Sequence, residues 1–216
     1  MPRSKRVLVT AGPTREHVDP VRYLTNESSG RMGFEIAAAA ARAGHRVTLV
    51  AGPVVLPTPP GVVRIDVVSA REMLAATRRA FRRADALFMC AAVSDWRPRR
   101  KRQGKWRKDG EREDIAIMEL VRNPDILASL ARRKARRLVV GFALETGDGA
   151  TRARAKLRRK GADYIVLNDH TALGAERSSV TILSSDGSER HLGRRAKRAL
   201  AEVLVRLERP SQARAR

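Results

Sequence analysis

Short apolar runs alternate with longer stretches of helical periodicity in the first half of the chain. RVLVT (residues 6–10) ends in the turn AGPT, and HRVTLVAGP (residues 45–53) ends in another Gly-Pro turn. Apolar runs bounded by such turns are typical of buried strands. Between them, MGFEIAAAAARA (residues 32–43) predicts a helix that stops at Gly44. The order of strand, helix and strand predicts a βαβ unit.

The same alternation continues to Val93. VVRIDVV (residues 62–68) predicts a third strand, and DALFMCAAV (residues 85–93) predicts a fourth that is apolar for long enough to be buried on both faces. The segment between them predicts a helix that begins with a capping box, Ser69 as the N-cap and Glu72 three residues on. These elements predict an α/β fold, a Rossmann-like and mostly parallel sheet flanked by helices.

The pattern breaks after Val93. Residues 94–114 contain almost no apolar side chains apart from two tryptophans, which predicts a long basic flap or exposed hairpin. We expect the remaining elements to be strands at residues 115–120, 137–146 and 163–169, helices at residues 123–136, 147–162 and 193–208, and a β-hairpin at residues 178–192 around Asp186 and Gly187.

Composition limits the class of protein. The chain has 216 residues, of which 43% are hydrophobic, and this suits one folded domain. We expect that domain to cover residues 1–206, followed by a basic, disordered tail at residues 207–216. The sequence contains no apolar window of membrane-spanning length, and the apolar run near its start is too short for a secretory signal. These features favour a cytoplasmic protein without a membrane partner.

Charge is the strongest bulk feature of the sequence. There are 45 Lys and Arg against 23 Asp and Glu, a formal net charge of +22. Such a field attracts polyanions, either nucleic acid or phosphorylated small molecules. The basic residues are spread over many predicted helices and loops, which is typical of a solvated surface. We therefore expect only a few of these basic residues, at candidate binding sites, to be functional, and we expect no specific nucleic-acid partner.

The stretch SSGRMG at the start of the alanine-rich helix is a candidate anion site. Ligands of open parallel sheets bind at the carboxyl ends of strands, near helix N-termini. Main-chain N–H groups and hydroxyls here would bind a phosphate, and a cation would add charge. The loop differs from the glycine-rich dinucleotide fingerprint and from the P-loop, neither of which occurs in the sequence. The residues of this predicted loop are Ser28, Ser29, Gly30, Arg31 and Gly33.

The lone Cys90 lies within an apolar run. It has no partner for an internal disulfide and no ligand at metal-binding spacing. A small buried hydrophobe is therefore favoured over a catalytic thiol.

Several motifs occur in an order that resembles the phosphopantothenoylcysteine synthetases, the ligase module of coenzyme A biosynthesis. The resemblance extends from about Val7 to about Leu183. Its motifs are VLVTAGPTREHVDPVRYLTNESSGRMG, AAVSDW, GKWRK, NPDIL, GFALET and KLRRKGADYIVLND. The flavin-binding decarboxylase domain of many bacterial relatives does not precede them in this sequence, so we expect no flavin and allow for a separate decarboxylase partner.

The resemblance implies a ligation in two steps. The carboxylate of 4′-phosphopantothenate attacks the α-phosphate of a nucleoside triphosphate, and the amine of L-cysteine then displaces the nucleotide from the acyl group. The resemblance leaves CTP and ATP both open. Polyanionic reactants of this kind need cations, helix N-termini and Mg²⁺ bound with the nucleotide phosphates. We assign no protein side chain as a metal ligand.

The resemblance also implies roles for individual residues. Asn26 matches an asparagine associated with the acyl nucleotide, and Arg22 matches an arginine on the phosphopantothenate side. Lys105 begins KWRK, where the family typically has KIKK on a flap that closes over the substrates. The positions implied for the nucleotide are Ala91, Asp95, Asn123, Pro124, Asp125, Ile126, Phe142, Lys156 and Lys160.

The sequence departs from the family at several places. Trp106 and Arg107 replace Ile and Lys of KIKK, Leu144 replaces a common alanine, and the phenylalanine and asparagine usual before VTIL are missing. The family is dimeric, so we expect a homodimer with a site shared between subunits. We expect its contacts at residues 114–120 and 178–191, since strands outside the main sheet would need covering.

Two other functional classes remain open. Because of the charge of +22, the alternative is a Rossmann-like protein without ligase activity that binds phosphorylated ligands or nucleic acid. A Rossmann oxidoreductase is disfavoured, because the glycine fingerprint and a catalytic Tyr-x-x-x-Lys are missing from the sequence.

Overall fold

The computed structural model describes residues 3–107, 116–145, 148–169 and 176–210. The strands are β1 (Arg6–Ala11), β2 (Arg15–His17), β3 (Tyr23–Thr25), β4 (Arg46–Ala51), β5 (Val62–Asp66), β6 (Ala86–Met89), β7 (Trp96–Pro98), β8 (Leu120–Arg122), β9 (Leu138–Glu145), β10 (Tyr164–Asp169), β11 (Arg177–Ser184) and β12 (Glu189–Ala196). The helices are α1 (Arg31–Arg42), α2 (Ala70–Phe81), α3 (Ile126–Ala131), α4 (Gly149–Lys160) and α5 (Lys197–Val205).

Eight strands form the central sheet in the order β12-β11-β10-β9-β6-β1-β4-β5. The six strands from β10 to β5 are parallel, and β11 and β12 continue the sheet as an antiparallel hairpin. From β1 the chain proceeds outward to β4 and β5, and it then returns through α2 to β6 on the other side of β1. The carboxyl ends of β1 and β6 therefore flank the crevice in which such sheets bind ligands. The predicted Rossmann-like fold is confirmed.

Both faces of the sheet are covered by helices. Consecutive residues of β1 show this, because Val7 and Val9 belong to the core on one face while Leu8 belongs to the core on the other. Helices α1 and α5 supply apolar side chains to the first core, and α2, α3 and α4 supply them to the second. The continuous apolar runs of the central strands follow from this double burial.

The predicted capping box at the start of α2 is present. The Ser69 hydroxyl accepts the N–H of Glu72 at 3.3 Å, and the Glu72 carboxylate accepts the N–H of Val68 at 3.0 Å. The first bond satisfies an N–H that the helix leaves without an intrahelical partner, and the second ties the helix to the residue before the N-cap.

The last predicted helix begins later than expected. Residues 193–196 belong to β12, and α5 starts only at Lys197. Pairing with β11, which aligns Ala196 with Arg177, outweighs the helical preference of this arginine-rich stretch.

The reasoning about the hairpin at residues 178–191 was also wrong. We expected a hairpin outside the main sheet, but β11 pairs with both β10 and β12, so the hairpin forms the end of that sheet. An uncovered strand edge, which was the reason to expect a subunit contact here, is therefore found in this hairpin only on the outer side of β12.

The predicted flap starts from a two-stranded ribbon. Strand β7 pairs antiparallel with β8, and the N–H of Arg99 extends the ribbon by donating to the carbonyl of Glu119 at 2.9 Å. The strand predicted at residues 115–120 is thus shorter and later than expected. Residues 108–115, which include the last part of the predicted flap, lie outside the described residues, as do residues 211–216 of the predicted tail.

Candidate active site

A cavity of about 590 Å³ opens at the carboxyl ends of the central strands. We call it the loop cavity, because the predicted anion loop forms one of its walls. Its lining includes Asn26, Ser28, Ser29, Gly30, Arg31 and Gly33, and these are all of the residues predicted for that loop together with the predicted catalytic asparagine.

Two glycines determine how the anion loop meets the sheet. Gly30 is the N-cap of α1 and has a φ of +73°, a left-handed conformation that glycine adopts without strain. Gly33 lies against β1, where a Cβ would be only 2.5 Å from the Cβ of Ala11. The N-terminus of α1 is therefore held directly over the end of β1. Among the described residues, no side chain caps this helix, and its first turn has no acidic residue.

Asn26 is anchored to the loop that follows β6. Its amide group donates to the carbonyl of Val93 at 3.1 Å and to that of Ala92 at 3.4 Å. The N–H of Gly30 is also engaged, by the hydroxyl of Ser28 at 3.3 Å, so it is not directed at a ligand as the sequence predicted. These contacts fix the positions of Asn26 and the anion loop on the cavity wall.

A second cavity of about 420 Å³ adjoins the first. We call it the NPDI cavity, after residues 123–126. It shares five lining residues with the loop cavity, which are Ala91, Val93, Asp95, Phe142 and Lys156. All nine residues predicted for the nucleotide line it, although they come from four separate parts of the sequence. They are Ala91, Asp95, Asn123, Pro124, Asp125, Ile126, Phe142, Lys156 and Lys160.

Asp125 both caps a helix and pairs with a cation. Its carboxylate accepts the N–H of Ala128 at 2.9 Å as the N-cap of α3, and it forms an ion pair with the ammonium of Lys160. Partial burial acts to raise the pKa of Asp125, but the contacts with Lys160 and Ala128 outweigh it and lower the pKa. Lys160 is therefore fixed at the cavity by a structural carboxylate.

Asn123 joins the NPDI segment to the loop after β6. Its amide nitrogen donates to the carbonyl of Ser94 at 2.9 Å, and its main-chain N–H donates to the carbonyl of Asp95 at 2.8 Å. The two loops that border the NPDI cavity therefore hold each other in place.

Lys156 lies between the two cavities and lines both. Its ammonium donates to the carbonyl of Phe142 at 2.8 Å. Burial lowers the pKa of Lys156 and Lys160 adds to that effect, whereas Glu145 and Asp95 oppose it. A half-buried ammonium beside a second cation is suited to an anionic ligand, which would favour its charged form.

Arg22 and Lys105 line neither cavity. Arg22 forms an ion pair with Asp19 at 2.7 Å, and its guanidinium donates to the carbonyl of Trp106, the neighbour of Lys105. The structure thus divides the three predicted catalytic residues. Asn26 lies at the loop cavity, whereas Arg22 pairs with Asp19, and Lys105 directly precedes Trp106, which contacts both Arg22 and Asp19.

Four polar residues of the loop cavity were not predicted from the sequence. They are Glu145 and Asn168, near the ends of β9 and β10, Glu27 in the loop before α1, and Lys197 at the start of α5. The first two follow apolar strand patterns, and this is a signal by which a sequence identifies such residues. Lys197 gave no such signal, because it was placed inside a helix that begins four residues later than predicted.

Neither a resident metal centre nor a membrane span is found in the described residues. They contain no group of three or more His, Cys, Asp or Glu side chains that could hold a metal ion. None of their helices is long and apolar enough to cross a membrane.

Comparisons with known proteins give consistent matches over nearly the whole chain. The family model described as DNA/pantothenate metabolism flavoprotein C-terminal domain matches residues 3–208. The coenzyme A biosynthesis bifunctional protein CoaBC of Vibrio cholerae is 47% identical over 208 residues, which make up 94% of this chain and 52% of the relative. The chain therefore spans about half the length of the curated relatives it matches.

Solved structures share the same fold. The crystal structure of the C-terminal domain of CoaBC has a TM-score of 0.80 and 38% identity, covering 94% of this chain and 93% of that one. A Cab2 mutant in complex with phosphopantothenate-cysteine has a TM-score of 0.73 and covers 93% of this chain and 83% of its own. At 16% identity, the second similarity shows the fold alone.

Proposed function

The chain belongs to the DNA/pantothenate metabolism flavoprotein C-terminal domain family, and on that premise we propose that it is a ligase that joins 4′-phosphopantothenate to L-cysteine in coenzyme A biosynthesis. One observation carries the proposal. Two adjoining cavities at the crevice of the sheet bring the expected residues together. One is lined by the nine residues expected to bind the nucleotide, and the other by the six expected at the anion loop and the acyl group. The match to the coenzyme A biosynthesis bifunctional protein CoaBC of Vibrio cholerae, at 47% identity, supports this pathway.

The first step forms an acyl nucleotide. A carboxylate oxygen of phosphopantothenate bonds to the α-phosphorus of the nucleoside triphosphate, and the bond to the pyrophosphate leaving group breaks. Negative charge grows on the leaving group and on the oxygens of the transferred phosphorus. Lys156, Lys160 and Arg31, with the N-terminus of α1, are the cationic groups that would stabilise it.

The second step forms the amide bond. The cysteine amine attacks the acyl carbon, the bond from that carbon to the phosphate oxygen breaks, and nucleoside monophosphate leaves while the amine loses a proton. Asn26, fixed at the loop cavity, would orient the acyl group for this attack without reacting itself. Neither step transfers electrons, so the proposed reaction has no need of a flavin.

No protein nucleophile takes part in the proposed mechanism. The cysteine that lines the loop cavity, Cys90, is unsuited to that role because burial raises its thiol pKa to about 12, despite the opposing charge of Lys197. The substrate cysteine therefore supplies the attacking amine, and Cys90 serves as packing.

Mg²⁺ fits the loop cavity as an ion bound together with the nucleotide. The ion commonly takes most of its ligands from phosphates and water and only one or two from carboxylates. Glu27, Asp95 and Glu145 are the carboxylates that line the cavity, and one or two of them would hold the ion. The ion would neutralise phosphate charge.

We propose that Arg22 and Lys105 act on the cavity of a second subunit in a homodimer. Both lie outside the cavities of their own chain, although the resemblance implies contact with substrates. Mixing inactive Asn26→Ala and Lys105→Ala proteins should then restore activity, because some mixed dimers contain one intact site. A monomeric mass in sedimentation at catalytic concentrations would contradict the shared site.

Other parts of the proposal concern the cellular context. We propose a cytoplasmic location and a decarboxylase that consumes the product. The nucleotide, CTP or ATP, is set by groups around Ala91 and Ile126 in the NPDI cavity.

The proposal is tested by pyrophosphate release from purified protein with Mg²⁺, 4′-phosphopantothenate and L-cysteine, using CTP and ATP in parallel. We expect release with one nucleotide that depends on phosphopantothenate and is lost in Lys105→Ala. Folded protein that releases pyrophosphate with neither nucleotide would favour the alternative, a divergent binding protein for phosphorylated ligands or nucleic acid.

A further inference from the structure

The hairpin formed by β2 and β3 contains a fully buried carboxylate near its turn. The side chain of Asp19 is 0% exposed. Its Oδ1 accepts the main-chain N–H groups of Val21 and Arg22, each at 2.7 Å, and its Oδ2 accepts Nε–H of Arg22 at 2.9 Å. These contacts are local to the turn and orient the guanidinium of Arg22.

A further hydrogen bond comes from a segment more than eighty residues away in the sequence. The N–H of Trp106 donates to Oδ2 of Asp19 at 3.1 Å, and the guanidinium of Arg22 donates to the carbonyl of the same Trp106. The N–H of Arg102 donates to the carbonyl of Val18 at 2.8 Å, and the guanidinium carbon of Arg102 lies 3.9 Å from the centroid of the Trp106 ring. Residues 102–106 are thus docked on the hairpin through their main chain.

Lys105 precedes Trp106 directly, so one carboxylate fixes the surroundings of two predicted catalytic cations. We propose that Asp19 is a positioning residue that holds Arg22 and the main chain beside Lys105 in one arrangement, so that both cations meet the anionic substrates together. The catalytic part of this inference rests on the proposed function, whereas the docking of residues 102–106 can be measured without any reaction.

Burial acts to raise the pKa of Asp19, but hydrogen bonds from Trp106, Arg22 and Val21 outweigh it and hold the pKa well below the usual carboxyl range. The group that docks the segment is therefore a carboxylate at neutral pH.

Asp19→Asn separates docking from hairpin formation. The amide oxygen of asparagine can still accept the N–H groups of Val21 and Arg22, which preserves the turn. The amide NH₂ then takes the place of Oδ2 and meets N–H donors of Trp106 and Arg22, with no acceptor between them. The substitution thus removes the contact to Trp106 together with the side-chain contact to Arg22, and it spares the main-chain hydrogen bonds of the turn.

The same hairpin supplies a matched control. Glu16 is a second buried carboxylate, 4% exposed, and its Oε1 accepts the N–H of Ala70 at 2.8 Å, which ties the hairpin to the start of α2. Glu16→Gln perturbs an equally buried hydrogen bond of this hairpin without changing an acceptor of residues 102–106.

Trp106 reports on docking directly, since the chain has only two tryptophans. In a Trp96→Phe background, used for fluorescence alone, acrylamide quenching should rise about twofold in Asp19→Asn and stay unchanged in Glu16→Gln. Arg22→Gln, which removes the donor to the Trp106 carbonyl, should also raise quenching and serves as a second test if Asp19→Asn does not fold.

Kinetic measurements with native Trp96 then test the positioning role. Asp19→Asn should lower kcat/KM for phosphopantothenate about tenfold, whereas equilibrium binding of nucleotide stays within about twofold of wild type. Asp19→Glu, which keeps the charge, should recover part of the loss.

Unchanged quenching in folded Asp19→Asn, or equal effects of Asp19→Asn and Glu16→Gln, would overturn the proposal. A change of quenching together with an unaltered kcat/KM would limit Asp19 to structure and would also overturn it. If quenching changes as expected and wild type makes no product, docking by Asp19 stands and the proposed ligase activity fails.

Discussion

Gly33→Ala links the packing of α1 to the function of the anion loop. An added Cβ would lie 2.5 Å from the Cβ of Ala11 and 3.0 Å from the carbonyl oxygen of Thr10, so the helix must shift away from β1. Overpacking of this kind costs about 1–3 kcal/mol. Alanine restores up to about 1 kcal/mol of helix propensity. The net expectation is a loss of about 1–2 kcal/mol, or a melting temperature about 2–8 °C lower.

The shift should also appear in ligand binding. Since Gly30 and Arg31 stand at the start of α1, moving the helix displaces the anion loop, and we expect KM for the nucleotide to rise more than kcat falls. Gly193→Ala is the control, because its Cβ would meet no atom within 4 Å. An unchanged melting temperature together with an unchanged KM would refute the claim that close packing of Gly33 positions the loop.

Three further predictions concern cations, the thiol and a structural carboxylate. Lys156→Met should raise KM for the nucleotide about tenfold, because the ammonium lines both cavities, while Arg158→Met, on the exposed side of the same helix, should leave steady-state kinetics unchanged. Cys90, with a pKa of about 12, should be alkylated by iodoacetamide at pH 8 about a thousandfold more slowly than a free thiol, and the rate of alkylation should increase only as the pH rises. Rapid labelling of Cys90 seen by mass spectrometry would contradict this. Asp163→Asn should destabilise the fold by about 3 kcal/mol in urea titration, because Asp163 is buried and accepts Lys134 Nζ at 2.6 Å, and a loss below about 1 kcal/mol would refute that estimate.

The fold follows from the sequence wherever burial leaves a periodic signal. Consecutive apolar residues such as Val7, Leu8 and Val9 predict strands with two covered faces, and alternation with helices then requires a parallel sheet. The signal fails at β12, because its polar sequence ERHLGRRA carries no strand pattern and pairing with β11 decides its structure. The small β2–β3 hairpin was missed for the same reason.

The candidate site is predictable only in part. The resemblance identified residues that the fold brings to two adjoining cavities, including Lys156 and Lys160, which composition alone would assign to the surface. Sequence could not show that Arg22 and Lys105 lie apart from those cavities. Nor could it reveal Asp19, since a buried carboxylate is recognised by the donors around it, and one of those donors, the N–H of Trp106, comes from a distant segment.

The most direct test of the account follows one oxygen atom through the reaction. Phosphopantothenate labelled with ¹⁸O in its carboxylate is incubated with the protein, Mg²⁺, L-cysteine and the active nucleotide, and the nucleoside monophosphate is analysed by mass spectrometry. Attack of the carboxylate on the α-phosphorus predicts one heavy oxygen in the monophosphate and one in the new amide. Product formation with an unlabelled monophosphate would contradict an acyl-nucleotide intermediate and with it the proposed mechanism.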